Sequence, residues 1–181
     1  MKNSLSTLKF ITGNVNKFNE AKQFLPELEQ LNIDLLEIQS LDPKEIIEHK
    51  LKEAKKHGHT NFFTEDISLV IDKYGFPGPL IKWVNQTLGH DLGVYFEGEN
   101  ITTLCSIGYC DEQGNEHYFE GIVKGTLCRA RGEDFGYNPI VIPEGHTKTY
   151  AEMSLEEKGN INHRAKALEK LKAFLEKKQD K

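Results

Sequence analysis

The residues of this sequence best suited to chemistry are lysines and carboxylates set beside glycines and short polar side chains. Near the start, Thr12-Gly13-Asn14-Val15-Asn16-Lys17-Phe18-Asn19-Glu20 puts glycine where a strand turns into a helix. Freed backbone N–H groups and the positive end of the helix dipole then face one spot, and an anion suits that spot. Lys17, about one turn into the helix, reaches the same anion as a flexible point charge, and Thr12 and Asn14 add short donors. Read alone, the stretch also describes an Asn-capped surface helix with an incidental lysine.

A second candidate is the pair Glu65-Asp66, which follows Phe62-Phe63-Thr64 and precedes the apolar run Ile67-Ser68-Leu69-Val70-Ile71. Carboxylates where strand meets loop could hold Mg²⁺ with substrate phosphates completing the shell, or orient a water as general base; the plain alternative is a pair of turn acids. In the C-terminal third, Gly132-Glu133-Asp134-Phe135-Gly136-Tyr137-Asn138-Pro139 joins two aromatics and an amide in a glycine-loosened loop. Lys158-Gly159-Asn160-Ile161-Asn162-His163-Arg164 precedes a helix whose apolar stripe is Ile161, Ala165, Leu168, Leu171 and Leu175. Aromatics can stack on a base, and Lys158, His163 and Arg164, off that stripe, could address a ligand. Taken singly, each piece is also a packing aromatic or a basic surface corner.

These residues need elements to carry them. Leu8 to Thr12 reads as a short strand, and Lys17 to Leu25 has helical spacing through Phe18, Ala21, Phe24 and Leu25. Ile33 to Ile38 reads as the next strand, which places Glu37 at a sheet edge facing a cleft. Asp42-Pro43 supplies an N-cap and a first-turn proline for a helix through Ile46, Ile47, Leu51 and Ala54 that ends near Gly58. Asn61 to Asp72 reads as a broken strand pair, Tyr74 to Pro79 as a loop, and a helix resumes at Leu80. Strands then follow at Ile101 to Tyr109, His117 to Val123, Gly125 to Ala130 and Pro139 to Ile142, with a turn at Asp111 to Asn115. The order predicts one α/β domain over 1–181, with a mixed central sheet and flanking helices forming two lobes around a cleft.

Composition narrows the function. With 23 basic and 28 acidic residues the formal net charge is −5, which disfavours stable nucleic-acid binding; a polyanion must instead meet a local basic pocket. No apolar run approaches the ~20 residues that span a bilayer, and residues 1–12 lack a signal-peptide core. Cys105, Cys110 and Cys128 are odd in number, and the first two, five apart in a strand, point to opposite faces; a reduced, cytoplasmic protein is expected. His57-Gly58-His59 sits at a helix end among turn residues and reads as a solvated loop, not a metal site.

Taken in order, Thr12-Gly13-Asn14-x-x-Lys17-x-x-Glu20, Glu65-Asp66, Phe76-Pro77-Gly78-Pro79, Phe135-Gly136-Tyr137-Asn138-Pro139, Tyr150-Ala151-Glu152-Met153 and Lys158 through His163-Arg164 resemble the inosine triphosphate pyrophosphatase family, and Pro77 to Trp83 looks like its eukaryotic-type members. The resemblance spans nearly the whole chain, and it implies an elongated central sheet with a nucleotide cleft between the two lobes. It implies a homodimeric, Mg²⁺-dependent hydrolase that cleaves the α–β phosphoanhydride of inosine, deoxyinosine and xanthosine triphosphates to monophosphate and pyrophosphate. By that likeness Thr12, Gly13, Asn14, Lys17 and Lys50 meet the phosphates, and Glu37 and Asp66 are the metal and water-activating acids. Phe135, Gly136, Tyr137 and Asn138 form the base-stacking loop, and Lys158, His163 and Arg164 read the purine edge and brace the sugar-phosphate.

The physics of this assignment is coherent. A triphosphate with Mg²⁺ keeps about two negative charges, which Lys17, Lys50 and Lys158 would offset along with charge developing at the α-phosphorus. Donors from Arg164 and His163 aimed at a 6-keto oxygen would be left unpaired by adenine, at about 1–3 kcal/mol each. Three positions depart from the family's pattern: Asn138 replaces a usual aspartate, Asn162 a usual serine and Ser68 a frequent glycine. The resemblance places the first two in the base pocket; an amide donates where a carboxylate only accepts, so the ranking among purines is open. Other readings are a house-cleaning pyrophosphatase for other modified nucleotides, and a catalytically silent nucleotide-binding sensor.

Overall fold

The computed structural model describes residues 7–179. The first six residues of the stretch read as lacking a leader, and the last two of the lysine-rich end, lie outside the described residues. The architecture is the mixed α/β sheet expected. Among the described residues seven strands run β1 (Lys9–Ile11), β2 (Glu29–Leu31), β3 (Phe62–Ile71), β4 (Phe76–Gly78), β5 (Asn100–Cys110), β6 (Glu116–Leu127) and β7 (Val141–Pro143). Their order in the sheet is β2-β1-β3-β5-β6-β7, with β4 also on β3. β1 is parallel to both neighbours, and the remaining pairs are antiparallel.

Helices α1 (Val15–Phe24) and α6 (His163–Gln179) pack together, α6 lying against β5 and β6, while α2 (Pro43–Lys56) packs against β3 and β5. Period-two alternation divides the core accordingly. Cys105 joins Phe10, Phe63, Ile107, Tyr109 and Leu168 in one cluster, and Cys110 joins Ile47, Leu51 and Phe62 under α2. The two cysteines thus occupy opposite faces, as their spacing predicts. A third cluster gathers Leu69, Ile81, Leu92, Tyr137 and Tyr150 near α3 (Ile81–Leu88) and α4 (Leu92–Tyr95). No helix among the described residues is long and apolar enough to cross a membrane.

Several local expectations are corrected. Residues 33–38 form no strand; the strand here is Glu29–Leu31, so Glu37 stands on an irregular segment. Phe62–Ile71 is one unbroken strand because β5 pairs with every residue of it. The two strands expected over 117–130 are likewise one, β6, and the loop at 74–79 contains β4. Asn138–Ile140 is a 3-10 turn leading into β7, not the start of a strand.

The C-terminal helix is also two helices, α5 (Leu155–Ile161) and α6, broken at Asn162. Asn162 has extended backbone, and its Oδ1 accepts the Ala165 N–H at 2.6 Å. Asparagine and serine are both good N-caps, so the exchange at this position preserves a helix start. The side chain is used there and does not line the main cleft, which corrects its expected place in the base pocket.

What seats α6 on the sheet is Gly121 of β6. A Cβ there would lie 1.9 Å from the His163 carbonyl oxygen and 2.6 Å from the Ala167 nitrogen. Gly121→Ala is therefore expected to destabilise the protein by about 1–3 kcal/mol by overpacking, read as a lower urea midpoint, because backbone stands in the way of relaxation. A midpoint unchanged by the substitution would show that α6 can lift off without loss.

Candidate active site

The site begins with a gap in the sheet. Along one edge of β3, β1 pairs with Phe62 and Phe63, and β4 pairs with Leu69 to Ile71, while β5 occupies the whole other edge. Among the described residues no strand pairs with the intervening Thr64–Ser68 edge, and Thr64, Glu65, Asp66 and Ile67 line a cleft of about 850 Å³ at that point. The walls come from the turn after β1, the irregular 33–39 segment, the start of α3, the Phe135–Asn138 loop and the start of α6. Lys17, Asp66 and Arg164, from three distant parts of the chain, all line this one cleft.

The opening turn is both a helix cap and a cleft wall. Asn14 Oδ1 accepts the Asn16 and Lys17 N–H groups at 3.0 and 3.2 Å, and Thr12 Oγ1 accepts the Asn14 N–H at 3.1 Å. The cap orients the first turn of α1 so that Lys17 reaches inward, its Nζ 3.0 Å from Glu65 Oε1.

Glu65, which the sequence shows only as half of an acidic pair, is the buried hub. Arg164 Nε and Nη2 donate to its carboxylate at 3.1 Å each, Arg164 Nη1 pairs with Glu20, and the Cys105 thiol lies 3.7 Å from Oε2. Burial alone would raise its pKa, but Arg164 and Lys17 outweigh that and hold it at about 2. Three of the five Arg164 N–H groups are thus committed to carboxylates, and the side chain is a buried tie between α6, β3 and α1.

Because Asp66 is the next residue on β3, it faces the other way, toward α2. Its Oδ1 lies 3.7 Å from Lys50 Nζ, and its Oδ2 is buried with no hydrogen-bond partner among the described residues. Lys50 also pairs with Glu37 and donates to the Glu65 carbonyl at 3.0 Å; that carbonyl belongs to the stretch of β3 without a strand at its edge. Burial, only partly offset by Lys50 and Lys17, pushes Asp66 up to about 6, with Glu37 and Glu65 adding to the rise. For Glu37 burial works upward too, but Lys50 outweighs it and its pKa is lowered.

Among the described residues no group of three or more His, Cys, Asp or Glu side chains forms a metal cage. Two carboxylates drawn to one lysine, one of them with an orphaned oxygen, still fit a hard divalent cation whose remaining ligands are water and phosphate oxygens.

The aromatic loop forms a further part of the cleft wall. Phe135 is half-buried in the lining; Tyr137 also lines the cleft but is buried against the core, its hydroxyl 3.0 Å from His163 Nε2. Of the two rings expected to stack on a base, both line the cleft and Phe135 is the more exposed. Asn138 donates its amide to Asp134 Oδ2 at 3.0 Å, and the same carboxylate takes the Lys158 ammonium at 2.5 Å and the Phe135 N–H through Oδ1. Lys158 sits on α5 and borders a separate small depression with Glu20 and Gln23. It braces the loop from behind and does not line the cleft, contrary to the expectation that it meets the ligand. His163 and Arg164 do line the cleft but are buried, not off the packed face as the stripe suggests.

Sequence reasoning left out Lys82 and Trp83, which line the cleft at the start of α3; Lys82 Nζ is 3.9 Å from Glu37. The available signal was the Pro77-Gly78-Pro79-Leu80-Ile81-Lys82-Trp83 run.

Comparison with known proteins agrees with this arrangement. A profile of the Ham1 family matches residues 8–174. The dITP/XTP pyrophosphatase of Methanopyrus kandleri is 38% identical over 173 residues, covering 89% of this chain and 92% of that protein. The inosine triphosphate pyrophosphatase of Yarrowia lipolytica is 38% identical over 182 residues, covering 94% and 96%. The solved structure of the Staphylococcus aureus Ham1 protein superposes with a TM-score of 0.73 at 26% identity, covering 94% of this chain and 98% of that one. A profile match over nearly the whole chain, and relatives this similar along their full lengths, place this protein in the Ham1 family.

Proposed function

We propose that this chain is a nucleoside triphosphate pyrophosphatase acting on non-standard purine nucleotides. The observation that carries the reading is that one cleft gathers Lys17 and Lys50 beside Asp66 and Glu37 together with the rings of Phe135 and His163. Relatives named dITP/XTP and inosine triphosphate pyrophosphatases support it.

In this reading the triphosphate lies along the cleft with its phosphates at the opening turn. Backbone N–H groups around Gly13, with Lys17 and Lys50, take up its charge. Asp66 accepts a proton from water as the water oxygen bonds to the α-phosphorus. The α–β bridging oxygen leaves with the pyrophosphate, and the product is the nucleoside monophosphate. When bound, a divalent cation, Mg²⁺ by family likeness, would be held by Glu37 and Asp66 and would supply charge neutralisation at the phosphates. Phe135 stacks on the base. The same likeness supports one domain over the whole chain, in two lobes, working as a cytoplasmic homodimer. The net charge supports the absence of stable nucleic-acid binding.

The direct test is to incubate the protein with Mg²⁺ and inosine, deoxyinosine, xanthosine or adenosine triphosphate, and to quantify pyrophosphate and monophosphate. Pyrophosphate from the first three, at least about tenfold faster than from adenosine triphosphate, is expected. Folded protein that forms no pyrophosphate would remove the proposal.

Two further results are expected. Lys17→Ala should raise KM for the triphosphate by about tenfold or more through lost phosphate contact, while Arg164 continues to neutralise Glu65. An unchanged KM would reduce the opening turn to a helix cap. Because Asp66 acts as a base only when ionised and its pKa is raised to about 6, kcat/KM should climb about tenfold per pH unit below that value and level above it. A profile flat from pH 5 to about 7 would assign the base elsewhere.

A further inference from the structure

Three buried oxygens stand together on the face of the sheet turned toward α2, and none has a hydrogen-bond partner among the described residues: Asp66 Oδ2, Ser68 Oγ and Ser106 Oγ. Strand geometry makes them neighbours. Asp66 and Ser68, two apart on β3, point to one side, and Ser106 of β5 pairs directly with Asp66, so its side chain shares that side and lies diagonal to Ser68. The three residues are 9%, 1% and 4% exposed. Ser106 also borders a depression with Lys44 and Ile47 of α2, but its hydroxyl oxygen is buried, so solvent there does not satisfy it.

Buried polar groups left unpaired are costly, and three on adjoining positions call for a common partner. Chemistry selects it. Two serine hydroxyls bring two protons, and an ionised carboxylate brings only lone pairs. A cation would meet the oxygens and leave both hydroxyl protons unpaired, whereas one water accepts from both serines and donates to Oδ2, the usual number of bonds for a buried water. The spacing agrees, since short side chains whose Cβ atoms lie roughly 5 Å apart across a strand pair leave a gap that one water spans.

We propose that Ser68 and Ser106 are positioning residues for Asp66: together they hold one buried water against Oδ2, behind the carboxylate, and that water fixes the plane in which Asp66 meets the cleft. This rests on the pyrophosphatase reading, in which Asp66 is the base, and deepens it. The bound water is part of the fold and is not the one that attacks phosphorus. Without it the carboxylate has one anchor, the 3.7 Å approach of Oδ1 to Lys50, and turns about its Cβ–Cγ bond. With it both oxygens are tied. Each carboxylate oxygen has two acceptor sites, so a water on Oδ2 leaves a site there for a cation. Ser68 stands where the family's pattern frequently has glycine, and glycine brings no hydroxyl to such a water.

The test pairs crystallography with kinetics. A crystal structure of the nucleotide-free wild type at about 1.5 Å or better should show one ordered water within about 3.2 Å of all three oxygens. No density there, or a direct hydrogen bond between Ser106 and Asp66, overturns the inference. Ser106→Ala should lower kcat for inosine triphosphate about tenfold with KM within about twofold, and Ser106→Thr, which keeps the hydroxyl, should stay within about threefold of wild type. A merely structural loss would show neither the split between kcat and KM nor the rescue by threonine. Ser68→Ala should also lower kcat, and the double alanine variant should fall little further than the larger single loss, because both serines act through the same water. An unchanged kcat in Ser106→Ala, or losses that multiply in the double variant, overturns the inference while leaving the pyrophosphatase reading in place. If the variants do not fold, the wild-type density alone decides. Folded wild type that turns over no purine triphosphate overturns the functional reading and, with it, the role given to this water.

Discussion

Asp66→Asn should lower turnover by about 10²- to 10⁴-fold while nucleotide affinity stays within about tenfold of wild type. The amide keeps the shape of the side chain at the floor of the cleft but cannot take a proton from water. Lys17, Lys50 and the N–H groups of the opening turn are untouched, so the phosphates keep their contacts. Stability should move independently of activity. Asp66 has a folded pKa of about 6, above its unfolded value, so folding favours the protonated form. The stabilisation this gives is full below the unfolded pKa of about 3.9, declines between about pH 4 and 6, and above that leaves the ionised carboxylate a net cost. The neutral amide escapes that cost, and the melting temperature at pH 7 is expected not to fall. Loss of turnover with unchanged or higher melting temperature marks a catalytic base. Turnover within a few-fold of wild type would reassign that role, and equal loss of binding and turnover would point to Asp66 as a binding group alone. A catalytically silent sensor, active in neither form, would fail the comparison at its start.

Glu65→Gln has the opposite signature. The carboxylate is fully buried between Arg164 and Lys17, and removing its charge leaves the guanidinium with Glu20 alone and Lys17 with no counter-ion at 3.0 Å. Breaking one partner out of a buried ion cluster costs about 3–5 kcal/mol, because the remaining charge stays buried and uncompensated. For a chain of this length that lowers the melting temperature by roughly 10 °C. The pH dependence follows from the sign of the shift. Glu65 titrates near 2 in the folded protein, so its contribution is present above the unfolded carboxylate pKa and is lost as pH falls from about 4 through 2. Acid unfolding in that window should therefore flatten in the variant. A melting temperature within about 2 °C of wild type would show that Arg164 finds full compensation in Glu20 and that Glu65 is not the hub of the network.

What the sequence reveals of this protein divides along physical lines. Helix α2 is legible because its signals are local: Asp42 caps it, Pro43 sits in its first turn, and Ile46, Ile47, Leu51 and Ala54 fall on one face. The opposed cysteines of β5 are legible for the same reason, since a strand's alternation needs only the sequence. Strand β3 is harder. Thr64-Glu65-Asp66 interrupts its apolar run, and the interruption looks like a break until the partners are known: β5 pairs every residue, and Arg164, 99 positions later, supplies the charge that makes a buried Glu65 tenable. The role of Glu65 is invisible locally because its partners lie at positions 17, 20 and 164. Ile33 to Ile38 misleads in the other direction. The alternation is present, but no neighbouring strand takes it up, and the segment serves as a cleft wall bearing Glu37. The cleft-lining residues are largely legible through the ordered motifs, whereas the contacts each one makes are not. Lys158 and Asn138 are basic and polar in the sequence, but three-dimensional pairing with Asp134 turns both into struts of the loop.

The central claim is that one cleft directs water at the α-phosphorus of a purine triphosphate. Turnover of inosine triphosphate in ¹⁸O-enriched water, with Mg²⁺ and mass analysis of both products, tests it most directly. The account predicts inosine monophosphate carrying one ¹⁸O and pyrophosphate carrying none. Label in the pyrophosphate, or release of orthophosphate in place of pyrophosphate, would contradict it.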